Sequence, residues 1–212
     1  MTELDPQTEE TPEVPLEQQQ ERKIVRRTLE AVGIFFLELI KIAVLAGITI
    51  GLVRYFLFKP FYVKGQSMES TFFQHEYLII DELSYRFREP ERGEVVVFRS
   101  PTEPGDYYLK RIIGLPGEQV KVDENKVVIY NTDHPQGVLL EEPYLDSDIQ
   151  TKGSVFVTLS EDEYFVMGDN REASLDSRRF GPIKKDSIVG RTWVRGYPFT
   201  RMGVIESPIY QF

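Results

Sequence analysis

A mostly β, antiparallel domain preceded by one N-terminal transmembrane helix is the fold class that this 212-residue sequence predicts. Three observations carry it. After residue 60 the chain breaks into short runs rich in Val, Ile, Tyr and Phe, divided at close spacing by Gly, Pro and Asn, which is how strands joined by tight turns read. Residues 31–58 are predominantly apolar. The first 20 residues carry six acids, three prolines and no Lys or Arg, with almost nothing to bury.

The elements follow in chain order. Residues 1–28 read as a disordered acidic tail and a basic flank, the flank holding Arg22, Lys23, Arg26 and Arg27. Residues 29–58 read as a transmembrane anchor, long enough at about 1.5 Å per residue to cross a hydrocarbon core of about 30 Å. Glu38, Lys41 and Arg54 interrupt the run, and its longest charge-free piece, residues 42–53, is short for a span. Against that, Glu38 and Lys41 are spaced to pair on one helical face, Arg54 can snorkel, and Tyr55, Phe56 and Phe58 suit an interfacial belt. The alternative is an amphipathic helix lying on the membrane surface. For a spanning helix the basic flank sets the N-terminus in the cytoplasm and everything past Lys59 outside, a single-pass protein of the cell membrane. No small-residue cleavage site ends the apolar run, so it reads as a retained anchor and not as a removed leader.

Residues 59–212 form the expected extracytoplasmic β domain. Strands are expected at 61–63, 77–80, 94–98, 108–113, 120–122, 126–130, 155–157, 163–167 and 188–195. Residues 118–160 look like a β insertion; within it stands Glu141-Glu142-Pro143-Tyr144-Leu145, with no chemical role of its own. No helix other than the anchor is expected.

Charge and composition exclude several classes of function. The net charge of −9 is divided as −6 over residues 1–20, +4 over 21–59 and −7 over 60–212. An acidic folded part is poor material for nucleic acid, and the local basic excess points to a lipid bilayer. With no cysteine there is no disulfide frame, thiol nucleophile or thiolate metal site. Two histidines, His75 and His134, lie in polar turns without a carboxylate pattern, which argues against a metal centre and gives no recognisable setting for a Ser-His-Asp triad. No cofactor is expected.

Three stretches carry chemistry. Gly65-Gln66-Ser67-Met68 puts a serine on a glycine-loosened turn just after the apolar segment. A serine hydroxyl is a poor nucleophile until a base takes its proton. Lys110 can be that base if it is neutral, and its neighbours Tyr108, Leu109, Ile112 and Ile113 are the apolar surroundings that disfavour an ammonium. Alternation places Lys110 on one strand face with Tyr108 and Ile112. The third stretch is Gly168-Asp169-Asn170-Arg171, a tight turn after a strand, followed by Ser174, Asp176, Ser177 and Arg178. Each has a plainer reading, as an ordinary turn, a snorkelling lysine and a polar loop.

In combination and in this order, after an N-terminal anchor, the three stretches resemble the sequence boxes of the bacterial type I signal peptidases. Residues 92–98 resemble that family's remaining box, a strand without a catalytic group. The resemblance covers about residues 30–200 and implies a signal-peptidase-like β domain. It implies Ser67 as nucleophile and Lys110 as general base, with Ser174 orienting the Lys110 amine. The Ser67 amide would face the oxyanion; some members add a hydroxyl at the position of Gly65, which here leaves only backbone. Gly168, Asp169, Asn170, Asp176 and Arg178 would brace the site, with Asp176 and Arg178 paired, and Met68 would wall the substrate pocket. Two departures stand out: Ser70 where proline is usual, and Glu172 where aspartate is common. The implied substrates are signal peptides of exported preproteins, bound as extended strands and cut after a small-x-small site. Two rival readings are a self-cleaving Ser-Lys regulator, which the anchor and the lack of a DNA-binding segment argue against, and a catalytically silent membrane-anchored binding domain, which the presence of both Ser67 and Lys110 argues against.

Overall fold

The computed structural model describes residues 16–56, 58–123 and 125–210. They divide into two units, Met1–Gly51 and Leu52–Phe212.

The first unit belongs to helix α1, Leu16–Phe56. At 41 residues it would extend about 60 Å. Its stretch from Gln20 to Leu52 is long and apolar enough to cross a membrane. Ile34, Phe35, Leu37, Ile42, Leu45 and Ile50 all expose more than half their surface, apolar area that a lipid phase would cover. Glu38 and Lys41 pair at 3.7 Å. The helix begins at Leu16, inside the acidic tail expected to be disordered and ahead of the anchor expected from residue 29; residues 1–15 lie outside the described ones. The cause is composition. Residues 16–30 are mostly Leu, Gln, Glu, Arg and Lys, all good helix formers, and Arg26 bonds Glu30 one turn on at 2.9 Å. The side chains of residues 53–59, including Arg54 and the aromatic belt, lie outside the described ones.

In the second unit all nine expected strands are present, with ends within three residues of those expected: β1 Phe58–Tyr62, β2 Tyr77–Asp81, β3 Val95–Arg99, β4 Tyr107–Gly114, β5 Gln119–Asp123, β6 Lys126–Tyr130, β8 Val155–Thr158, β9 Glu163–Met167 and β11 Ile188–Tyr197. Three two-residue strands join them: β7 Val138–Leu139, β10 Ile183–Lys184 and β12 Gly203–Val204. One sheet runs β1-β2-β11-β3-β4-β9-β10, with β12 on β11; a second, β7-β6-β5-β8, is built wholly from residues within 118–160. Every described pairing is antiparallel. Contrary to expectation a second α-helix exists, α2 Ser177–Phe180, one turn capped by the Asp176 carboxylate, which accepts from the Arg178 amide. A single turn is too short to show helical periodicity.

Three apolar clusters fill the domain. Val63, Met68, Phe72, Leu78 and Leu109 belong to one. Val96, Phe98, Ile112 and Tyr164 belong to the second, and the third joins the insertion sheet to β4 and β9 through Ile113, Phe165 and Met167. β4 is therefore buried on both faces from Leu109 to Gly114.

Candidate active site

Ser67 stands in the connection between β1 and β2. Val63 N–H donates to the Glu76 carbonyl at 2.9 Å and His75 N–H to the Val63 carbonyl at 3.0 Å, which closes the base of that connection. Above it Gly65 takes φ 83°, a left-handed conformation that glycine adopts without strain. Phe72 N–H then donates to the Met68 carbonyl at 2.8 Å. Met68 and Phe72 are buried, so the turn is nailed to the core on both sides of a half-buried Ser67.

The base candidate comes from the middle of the sheet. Lys110 pairs with Val96 of β3 and only 4% of its surface is exposed. Its Nζ lies 2.8 Å from Ser67 Oγ and 3.0 Å from the Leu109 carbonyl oxygen. Burial pulls the ammonium down from its ordinary 10.5 to about 8, while the Asp176 and Asp169 carboxylates pull the other way. Ser67 therefore has a largely desolvated amine for a neighbour. His75 instead meets the Tyr62 hydroxyl.

The turn after β9 binds the two stretches together. Asn170 N–H donates to the Ser67 carbonyl at 3.1 Å. The Asp169 carboxylate accepts from Arg111 Nε at 2.9 Å, Arg111 Nη2 at 2.6 Å and Thr71 Oγ1 at 2.6 Å, so one acid ties the end of the serine turn to the lysine strand. Gly168 N–H donates to Asp176 Oδ2 at 3.1 Å. Arg178 holds Asp176 with Nε at 2.9 Å and Nη2 at 2.8 Å. Burial pushes the Asp176 carboxyl up, but Arg178 overrides this and holds it below its ordinary value. Ser174 stands in the same loop. Its hydroxyl is buried against Gly168 and the Asp176 carboxyl, without a well-formed hydrogen bond, while Lys110 Nζ turns to Ser67 and Leu109. Glu172 is exposed and paired with Lys152 at 2.5 Å, and the Glu69–Ser70 peptide bond is cis.

A cleft of about 530 Å³ opens on Ser67 and Lys110. Val63, Gly65, Met68, Tyr108 and Leu175 are among the residues lining it, with Lys64, Gln66 and Asp106 adding polar wall around Ser67 and Lys110. Among the described residues no group of three or more His, Asp or Glu is placed to hold a metal ion.

Sequence reading missed Arg111 and Glu142. Arg111 has no role in the sequence reading, yet its side chain is 3% exposed and its partner Asp169 1%. Its signal was its place beside Lys110 in a run otherwise apolar. An Asp169→Asn variant leaves that guanidinium buried without a counter-charge. We expect it to cost about 3 kcal/mol of stability, read as a lower denaturation midpoint of the full chain in detergent.

The chain matches the family described as signal peptidase, peptidase S26, over residues 36–197. It is 38% identical over 176 residues to a probable signal peptidase I-2 of Synechocystis sp., covering 80% of this chain and 77% of that protein. A signal peptidase IB of Staphylococcus aureus is 33% identical over 173 residues, covering 76% and 89%. A crystal structure of a signal peptidase I from Enterococcus faecalis V583 aligns with a TM-score of 0.41 at 32% identity, covering 49% of this chain and 97% of that one. The protein is thus a hydrolase of peptide bonds. It belongs to the signal peptidase family, peptidase S26.

Proposed function

We propose that the protein is a membrane-bound serine endopeptidase that removes signal peptides from exported preproteins, with Ser67 as nucleophile and Lys110 as general base. The observation that carries this is the 2.8 Å approach of Nζ to Oγ at a lysine that is 4% exposed.

The neutral Lys110 amine takes the Ser67 proton as Oγ attacks the scissile carbonyl. The resulting ammonium then gives a proton to the departing amine, leaving an acyl ester on Ser67. A water deprotonated by Lys110 hydrolyses that ester and returns the site to its starting state. The Ser67 amide, held in a turn that Gly65 bends and Asn170 supports, donates to the developing oxyanion. Gly65 adds no hydroxyl there. Gly168, Asp169, Asp176 and Arg178 brace the arrangement, and Ser174 fills the space beneath it. The substrate lies as an extended strand in the cleft, with Met68 on its wall and a small side chain at the cut. The helix crosses the cell membrane with its basic flank in the cytoplasm, which puts the catalytic domain on the side where a preprotein's cleavage site emerges. Lipid and signal peptides are its partners; nucleic acid and metal are not.

The test is cleavage of a purified preprotein by the full chain in detergent, with the new N-terminus located by mass spectrometry. A cut after a small-x-small site is expected; cleavage of the protein's own chain alone would favour the self-cleaving reading. The pH profile adds a second arm. With Lys110 near 8, about one molecule in ten carries a neutral amine at pH 7. So kcat/KM should rise about tenfold per pH unit below 8 and level off above it. A flat profile from pH 6 to pH 9 would remove Lys110 as the base.

A further inference from the structure

Among the described residues, none of the insertion 118–160 lines the cleft. It does deliver one acid and one ring, two residues apart, to two buried guanidinium groups. Glu142 pairs with Arg171 through both carboxylate oxygens, and the Arg171 side chain is wholly buried. Arg171 also donates to Thr151 Oγ1 of the same insertion at 2.5 Å and, through Nε, to the Gly168 carbonyl at 3.2 Å. Tyr144 lies against the Arg111 guanidinium, 3.9 Å from its ring centroid, and its hydroxyl donates to Glu142 Oε1 at 2.6 Å. Each arginine in turn grips the turn at residues 168–171. Arg111 holds the Asp169 carboxylate, Arg171 holds the Gly168 carbonyl, and Asn170 between them donates to the Ser67 carbonyl.

A bidentate Arg–carboxylate pair fixes two segments in orientation as well as distance. Here it joins a strap of the insertion to the turn on which the main chain of the reactive serine rests. We propose that Glu142 and Arg171 are positioning residues for the reaction at Ser67: through them the insertion holds the turn at residues 168–171, and with it the Ser67 backbone, in reactive register. This rests on the assignment of Ser67 and Lys110 as nucleophile and base. The surrounding layout favours a positioning role over general stability, because Glu142 and Tyr144 both meet residues that touch this turn, while the insertion's own sheet is filled by Val120, Val122, Val127 and Ile129.

The experiment measures kcat and KM on a preprotein with the full-length protein in detergent, well below the melting temperature of each variant. Glu142→Gln keeps the shape of the strap but removes the charge and one of the two acceptors. It should lower kcat by about tenfold to a hundredfold, the scale of a small misplacement of reacting groups, and move KM by less than about twofold, since neither residue meets substrate. The double variant Glu142→Gln with Arg171→Gln should be no worse than the worse single one, because the pair acts as one unit. Tyr144→Phe, which removes the hydroxyl's contacts with Glu142 and Tyr210, should lower kcat severalfold while the melting temperature stays within a few degrees. It decides the matter if Glu142→Gln does not fold. Wild-type kcat in Tyr144→Phe and Glu142→Gln, a loss of activity that follows the folded fraction, or losses that multiply in the double variant would each overturn the proposal. Ser67→Ala is run alongside: if it still cleaves, the assignment of the nucleophile has failed, and if it is inactive while Glu142→Gln is fully active, only the positioning role has.

Discussion

Lys110→Met is expected to abolish cleavage and, at neutral pH, to melt at a higher temperature than the chain that carries the lysine. The two effects share one cause. A lysine whose folded-state value is about 8 against an ordinary 10.5 places an ammonium where water cannot reach it. That difference corresponds to about 3 kcal/mol. Its sign follows from proton binding: between pH 8 and 10.5 the unfolded chain holds more protons than the folded one, so stability rises with pH through that window. The penalty is present in full below pH 8 and has gone by about 10.5. Methionine matches the stem of lysine without the charge, so its gain should be largest near pH 6–7, reduced by the loss of the contacts with Ser67 and Leu109, and should vanish at strongly alkaline pH. Cleavage should fall about 10³-fold or more, as in Ser67→Ala. Lys110→Arg should be inactive as well, because a guanidinium does not deprotonate, and it should be less stable, since its charge cannot be relieved. A melting curve for Lys110→Met below that of the wild type at pH 6, or retained cleavage in any of these variants, would contradict the dyad.

Gly168→Ala is expected to be the most damaging single methyl that can be added near the site. A Cβ there would fall inside the contact distance of both the Ser67 carbonyl oxygen and the Ser174 hydroxyl. The second could swing aside, but the first is main chain. Moving it drags the Ser67 amide and Oγ away from Lys110, and displacements on this scale cost about a hundredfold in rate. Overpacking adds about 1–3 kcal/mol of destabilisation. Gly65→Ala is the matching control. No atom lies within 4 Å of a Cβ there, so its cost is confined to the left-handed backbone, about 1 kcal/mol, and kcat should change far less. Equal kinetic damage from the two substitutions would show that the close approach of Gly168 to Ser67 does not matter.

Much of the architecture could be read from local pattern, and the exceptions have physical causes. Long β-branched runs such as residues 94–98 and 126–130 announce strands because periodicity and propensity agree there. The pairs Val138–Leu139, Ile183–Lys184 and Gly203–Val204 are too short to have a period, and only their neighbours make them strands. The early start of α1 was hidden by acidity: Glu17, Glu21 and the glutamines between them look like a solvated tail, although each favours helix. Ser67 and Lys110 were singled out because a known set of boxes surrounds them. Arg111, 58 residues from Asp169, and Glu142, 29 from Arg171, were not, because an ion pair between distant residues leaves no mark on the local sequence of either. The Glu-Glu-Pro-Tyr segment could be noticed but not interpreted until its partners were known.

The order of strands in the larger sheet has a consequence for the timing of biosynthesis. The β1–β2 hairpin that carries Ser67 and the β3–β4 pair that carries Lys110 share no sheet hydrogen bonds; β11 lies between them, pairing Asp81 of β2 and Val96 of β3 with the same residue, Arg191. A chain made from its N-terminus therefore produces Ser67 and Lys110 long before the strand that unites their hairpins, and contacts of such large sequence separation form late and slowly. Proteolytic competence is thus deferred to the closing stage of translation. A half-made copy that lacks β11 therefore holds Ser67 and Lys110 on two hairpins that no sheet pairing joins.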